Sequence, residues 1–123
     1  MRVCKIFRFD AAHYLPEYEG KCRQLHGHSW TLEVEVEGPV GEGGMVVDFA
    51  ELKQLVDEKV IRHLDHRLVN DVISVPTAEN ILLWVWEQLD GFGPPWCLAR
   101  LRLYETPDSF AEVKIAGRQE KLV

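Results

Sequence analysis

No stretch longer than nine residues is free of Asp, Glu, Lys and Arg in this 123-residue chain, against the ~18 or more that a membrane span needs. Neither a transmembrane helix nor a signal peptide is expected, and no membrane partner. Cysteine is scarce: Cys4, Cys22 and Cys97 are odd in number and show no framework spacing. That argues against a disulfide scaffold and for free thiols in a reducing compartment, so the cytoplasm is the expected location. Basic charge is short as well. Fourteen Lys and Arg against twenty Asp and Glu leave a formal charge of −6, a poor basis for tracking phosphates along a nucleic acid, and none is expected as a partner. Repeats, low-complexity tracts and Pro/Ser-rich linkers are missing too, so residues 1–123 read as a single domain. At 46% apolar residues the chain has enough to bury one core, but too little length for two enzymatic domains. A complicated active site must then be compact or shared between subunits.

What is present is strongly patterned. Val3 to Asp10 sets Val3, Phe7 and Phe9 against Cys4, Arg8 and Asp10, the period of a strand. Trp30 to Glu37 is cleaner: Trp30, Leu32, Val34 and Val36 alternate with Thr31, Glu33, Glu35 and Glu37, a strand with one wet face. After a glycine-rich break, Asp48 with Glu51 marks a helix start, followed by Phe49, Leu52, Val56 and Val60 as its apolar positions. Thr77 caps a second helix with Ala78, Ile81, Leu82, Val85 and Leu89 inside and Gly91 as the stop. Runs from Cys97 to Thr106 and Phe110 to Ile115 alternate again. The order strand, strand, helix, helix, strand, strand argues an α+β domain with an antiparallel sheet covered on one side by helices.

Consecutive antiparallel strands place the end of the first beside the start of the second. His13 lies at that end, and His26-Gly27-His28 at that start. An i, i+2 pair in extended chain sends both imidazoles to one side, and Gly27 lets backbone approach closely. Three converging histidines with one position open are the pattern of a catalytic zinc site, other late first-row ions being the alternative and scattered turn histidines the plain reading. Cys22, between Lys21 and Arg23, is either a thiolate favoured by its cationic neighbours or the fourth ligand of a closed site. Cys4 and Cys97 read as small packing residues.

Asp65-His66 is either an imidazole oriented by a carboxylate or an exposed turn. His63 belongs with the basic helix end and reads as structural. In the strand from Cys97, the inward set Cys97, Ala99, Leu101, Leu103 ends in Glu105. A carboxylate closing an apolar stripe needs a partner, and the N–H edge of a planar heterocycle would satisfy both oxygens; an exposed strand end is the other reading.

Phe9-Asp10-Ala11-Ala12-His13, Cys22-x-x-x-His26-Gly27-His28, Val47-Asp48-Phe49, Leu64-Asp65-His66, Pro76-Thr77-Ala78-Glu79-Asn80 and Glu105-Thr106 together resemble the 6-pyruvoyltetrahydropterin synthase family. The short Cys22 to His26 spacing resembles its carboxy-forming branch, which serves queuosine and other 7-deazapurine synthesis. The resemblance implies a tunnelling fold: a ββααββ subunit with a four-stranded antiparallel sheet and two helices on one face, joined into an oligomeric barrel. Homo-oligomers built on trimers, often hexamers with active sites between subunits, are implied with it. So are zinc ligands at His13, His26 and His28, a pterin anchor at Glu105 with Thr77 in the ring pocket, and proton-relay residues at Cys22, Asp65 and His66. The implied substrate is 7,8-dihydroneopterin triphosphate, and the implied products are 6-carboxytetrahydropterin, acetaldehyde and triphosphate. A pyruvoyl-forming enzyme and a non-catalytic zinc-stabilised assembly module are the alternatives.

Overall fold

The computed structural model describes residues 1–16 and 18–114. Two twelve-residue strands, β1 (Arg2–His13) and β2 (His26–Glu37), pair antiparallel along their whole length, from Arg2 opposite Glu37 to His13 opposite His26. β4 (Cys97–Thr106) lies antiparallel to β2, and β5 (Ser109–Lys114) antiparallel to β4. The last residue of the expected fourth strand, Ile115, lies outside the described residues.

The sheet departs from the four-stranded antiparallel expectation. A two-residue strand, β3 (Arg67–Leu68), runs parallel to β1 beside Ala11 and Ala12, giving a mixed five-stranded sheet in the order β3-β1-β2-β4-β5. Two residues carry no readable periodicity, so this strand is set by the chain's return past β1 and not by its own pattern.

Helix α1 begins at Phe49, where Asp48 accepts a hydrogen bond from the Ala50 amide at 2.8 Å. It runs as Phe49–Val56, passes through a π-helical turn at Asp57–Ile61 and closes at Arg62–Leu64. Leu52, Val56, Val60 and Leu64 are fully buried, but Phe49 is exposed: at the first helical position it has not yet turned onto the sheet. In α2 (Ala78–Leu89), Thr77 is the N-cap and all five expected inner residues are buried. Gly91, at φ +85°, ends it as expected. Trp84, off that stripe, is half-covered and meets the His63 ring edge-on.

Strand alternation sorts the side chains. Phe7, Phe9, Ala11 and His13 on β1, and Trp30, Leu32, Val34 and Val36 on β2, enter the core under the helices. On β4 the inward set is Leu98, Ala99, Leu101 and Leu103, without Cys97. A bulge opposite Glu35 and Val36 puts Leu98 across from Val36 and turns Cys97 out. Cys4 is exposed as well, on the outer face beside Arg100. Neither cysteine is the packing residue expected. No helix of the described residues is long and apolar enough to cross a membrane.

Candidate metal centre and active site

At the open end of the β1–β2 pair, the inward alternation carries polar groups instead of apolar ones. His13, His26, His28 and Glu105 each offer one ligand atom, and all four atoms lie within 4.8 Å of one another. His13 is buried at 2% exposure. Burial pushes its pKa below the ordinary 6.5, which keeps the imidazole neutral and ready to donate a lone pair.

The hydrogen bonds select the ring atoms. His13 Nδ1 meets the Pro76 carbonyl at 2.8 Å, and His26 Nδ1 meets the Gln24 carbonyl at 2.7 Å. Each Nδ1 must donate there, so each Nε2 is left with a bare lone pair. Those two Nε2 atoms face each other at 3.1 Å. Two lone pairs at that separation repel unless a proton or a cation lies between them. His28 Nε2 is buried without a hydrogen bond; Glu105 Oε1 lies 3.1 Å away, close enough for an ion pair but not aligned as an acceptor. The same oxygen is 3.7 Å from His13 Nε2. Three nitrogen donors and one oxygen converging in this way suit a late first-row cation, and zinc fits the set. Trp30 braces the group from below, its ring edge-on to His13 and His28 and its indole N–H donated to the Ala11 carbonyl at 3.2 Å.

The other expected site residues are placed as follows. Cys22 is half-buried in a 3-10 turn (Lys21–Arg23), and its carbonyl accepts from the Leu15 amide at 2.8 Å, tying the turn to the chain just after His13. Its thiol is outside the four-residue group, where Glu105 holds the fourth place, so the closed Cys-His₃ arrangement does not form. Thr77 caps α2, accepting from the Asn80 amide at 3.1 Å, directly after the Pro76 carbonyl that orients His13. Gly27 is not forced by crowding within the chain, since a Cβ there would meet only the Ala11 carbonyl at 3.9 Å.

Asp65 and His66 lie at the β3 edge of the sheet. Asp65 Oδ1 accepts from the Asp10 amide and from His66 Nδ1, both at 3.0 Å, and the Asp10 amide first among these causes lowers its pKa. His66 has φ +58°, a rare conformation for a residue with a Cβ, held by its amide's 2.7 Å bond to the Asp10 carbonyl. Ser29 donates to the Asp10 side chain at 2.6 Å. The His66 ring, 78% exposed, lines a cavity of ≈ 540 Å³ whose wall also includes Asp10, Ala11, Ala12, Ser29 and His28 of the imidazole cluster. Asp10 and Ala12 alternate with the buried Ala11 and His13, and the side chains of Asp65 and His66 lie outside the group of four ligand atoms. One chain thus brings His13, His26, His28 and Glu105 together but not Asp65 and His66 with them. Sequence reasoning missed the Pro76 and Gln24 carbonyls and the Asp10–Ser29 brace; main-chain acceptors leave no mark in residue identity.

The α+β sheet thus ends in three imidazoles and a carboxylate that could hold a metal ion, a site of the kind enzymes use. The chain belongs to the family described as 6-pyruvoyl tetrahydropterin synthase, which it matches over residues 2–116. A 6-carboxy-5,6,7,8-tetrahydropterin synthase of Synechocystis is 44% identical over 100 residues, covering 76% of this chain and 78% of the relative. A dihydroneopterin monophosphate aldolase of Pyrococcus furiosus is 47% identical over 91 residues, 72% of this chain and 76% of that one. The solved structure of Caenorhabditis elegans 6-pyruvoyl tetrahydropterin synthase superposes with a TM-score of 0.82 at 28% identity, over 93% of this chain and 94% of that one.

Proposed function

We propose that the chain converts 7,8-dihydroneopterin triphosphate and water into 6-carboxy-5,6,7,8-tetrahydropterin, acetaldehyde and triphosphate, as a carbon–oxygen and carbon–carbon lyase in 7-deazapurine synthesis. The observation that carries this reading is the pair of Nε2 lone pairs facing each other at 3.1 Å beside Glu105, in a chain similar to a carboxy-forming relative.

His13, His26 and His28 would hold zinc, which when bound supplies a Lewis acid for the substrate's side-chain hydroxyls. Glu105 accepts the paired N–H donors of the pterin's aminopyrimidine edge, fixing the ring against the imidazoles, and Thr77 closes the pocket beside Pro76. The Cys22 thiolate takes a carbon-bound proton. Asp65 keeps the His66 imidazole turned so that its Nε2 exchanges protons with the side-chain hydroxyls. Water added to the side-chain carbonyl nearest the ring supplies the oxygen of the carboxyl as the carbon–carbon bond breaks, and the departing two-carbon fragment takes up a proton to leave as acetaldehyde. Because Asp65 and His66 lie outside the group of four ligand atoms, the catalytic unit is an oligomer, trimer-based and up to a hexamer, with active sites between subunits in which the partner subunit's His66 completes this chain's site. The protein acts in the cytoplasm.

Product analysis after incubation with dihydroneopterin triphosphate tests the reading. Acetaldehyde and triphosphate should appear in equal amounts with a one-carbon carboxyl left on the pterin. A three-carbon side chain retained after triphosphate loss identifies the pyruvoyl-forming reaction. Phosphate carried off on the aldehyde fragment identifies the aldolase reaction for which the Pyrococcus relative is named.

A further inference from the structure

A polyphosphate substrate brings several negative charges to a protein that is itself acidic, so the cations free to meet it are informative. Among the described residues, Arg2, Lys53, Arg100, Arg102 and Lys114 are engaged by carboxylates. Lys5 and Lys59 lie over aromatic rings. Arg8, Lys21, Arg23, Arg62 and Arg67 remain outside any ion pair. Of these, Arg67 has the distinctive placement. It follows His66 in sequence and shares the ≈ 540 Å³ cavity with it. It also walls a second cavity of ≈ 310 Å³, lined by Arg62 and His63, with Asp71 the one carboxylate facing in. Its Nε donates to the Arg62 carbonyl at 3.1 Å, which fixes the guanidinium and leaves its two terminal nitrogens for an external acceptor.

We infer that Arg67 is the phosphate-binding residue of the relay site and that Arg62, behind it, determines phosphate number. The inference rests on the proposed reaction for the identity of the substrate. A planar, pre-oriented guanidinium binds phosphate oxygens in pairs, and a second cation one cavity further on reaches the distal phosphates of a triphosphate but not those of a monophosphate. Because Arg67 is covalently next to His66, it arrives at the substrate wherever the dyad does, whether in its own chain or in a partner. Lys21 and Arg23 flank Cys22 in its turn instead.

The test uses the metal-loaded, assembled protein and inorganic triphosphate as probe, read by calorimetry, beside KM for dihydroneopterin triphosphate and monophosphate. Arg67→Ala should weaken triphosphate binding by about tenfold or more, and raise KM for the triphosphate substrate by a similar factor at unchanged metal content. KM for the monophosphate substrate should rise with it. Arg67→Lys should recover part of the loss, and Arg62→Ala should weaken triphosphate while sparing monophosphate. If the protein fails to turn over dihydroneopterin triphosphate yet binds inorganic triphosphate through Arg67, the anion site stands and the proposed reaction falls. Wild-type triphosphate affinity in Arg67→Ala, or a loss confined to Arg8→Ala or to Lys21→Ala with Arg23→Ala, overturns the inference.

Discussion

The two faces of the β1–β2–β4 sheet are built by one alternation and end in opposite electrostatic conditions. On the outer face, Arg100 lies 3.1 Å from Glu33, 3.5 Å from Glu35 and 3.5 Å from Glu112, while Arg102 meets Glu112 at 2.7 Å and Arg2 meets Glu37 at 3.0 Å. Each of these charges has an opposite. On the inner face, at the mouth of the core, polar atoms converge like with like: imidazole lone pair against lone pair, and a carboxylate beside them. Matched charges at a partly wet surface contribute little individually. Unmatched groups in a buried position are costly, and persist where a ligand resolves them. The difference separates the face that shapes the sheet from the face whose polar groups could hold a metal ion.

Several substitutions break or sharpen that contrast. The largest effect belongs to His26→Ala: metal analysis should find about one zinc per wild-type chain and essentially none in the variant, since two imidazoles hold the ion far less well than three. Stripping the wild type with a chelator should also lower its melting temperature, because an ion that binds only the folded state stabilises it. Full zinc in His26→Ala would erase the distinction between the faces. Cys22→Ala should retain metal and lose turnover, the result for a base outside the ligand group; simultaneous loss of both would return Cys22 to the coordination sphere.

Glu105→Ala should weaken pterin binding by about 2–4 kcal/mol with zinc retained, measured by titration of a pterin product. Metal loss in that variant would instead make Glu105 a ligand. On the outer face, Arg100→Met should cost only about 1 kcal/mol of unfolding free energy, less in molar salt, with metal untouched. The smallest effect is the pH dependence at Asp65. Its folded-state pKa lies below the ordinary 3.8 because the Asp10 amide and His66 bind the charged form. Its contribution is therefore complete above 3.8 and is lost as pH falls through the lowered value. Denaturant titrations should show wild type and Asp65→Asn converging in that acid range.

Much of this was legible in residue order. Both long strands, both N-caps and the inner stripe of α2 follow from period and capping chemistry, and so does the meeting of His13 with His26, since an antiparallel hairpin brings those ends together. Glu105 stood out because a carboxylate closes an apolar stripe. The exceptions have local causes. Cys97 was read inward because the bulge beside Glu35 is invisible to strict alternation, and β3 was missed because two residues have no period. The closed Cys22 site stayed open as a reading because spacing does not say which side of a loop a thiol takes.

Alternation along β1 and β2 by itself determined which side chains face the core there, because a β-strand's period leaves each residue only two choices of face. The helix starts were likewise set by single residues, Asp48 and Thr77, whose short side chains satisfy amides that nothing else nearby would. Only the tertiary structure decided which ring nitrogens are free, since that depends on the Pro76 and Gln24 carbonyls arriving from elsewhere in the chain. It also decided that Asp65 and His66, clasped to the backbone of Asp10, lie at the β3 edge and outside the group of four ligand atoms. Backbone acceptors and the facing of a loop are set by how distant segments pack, a property that no single residue carries.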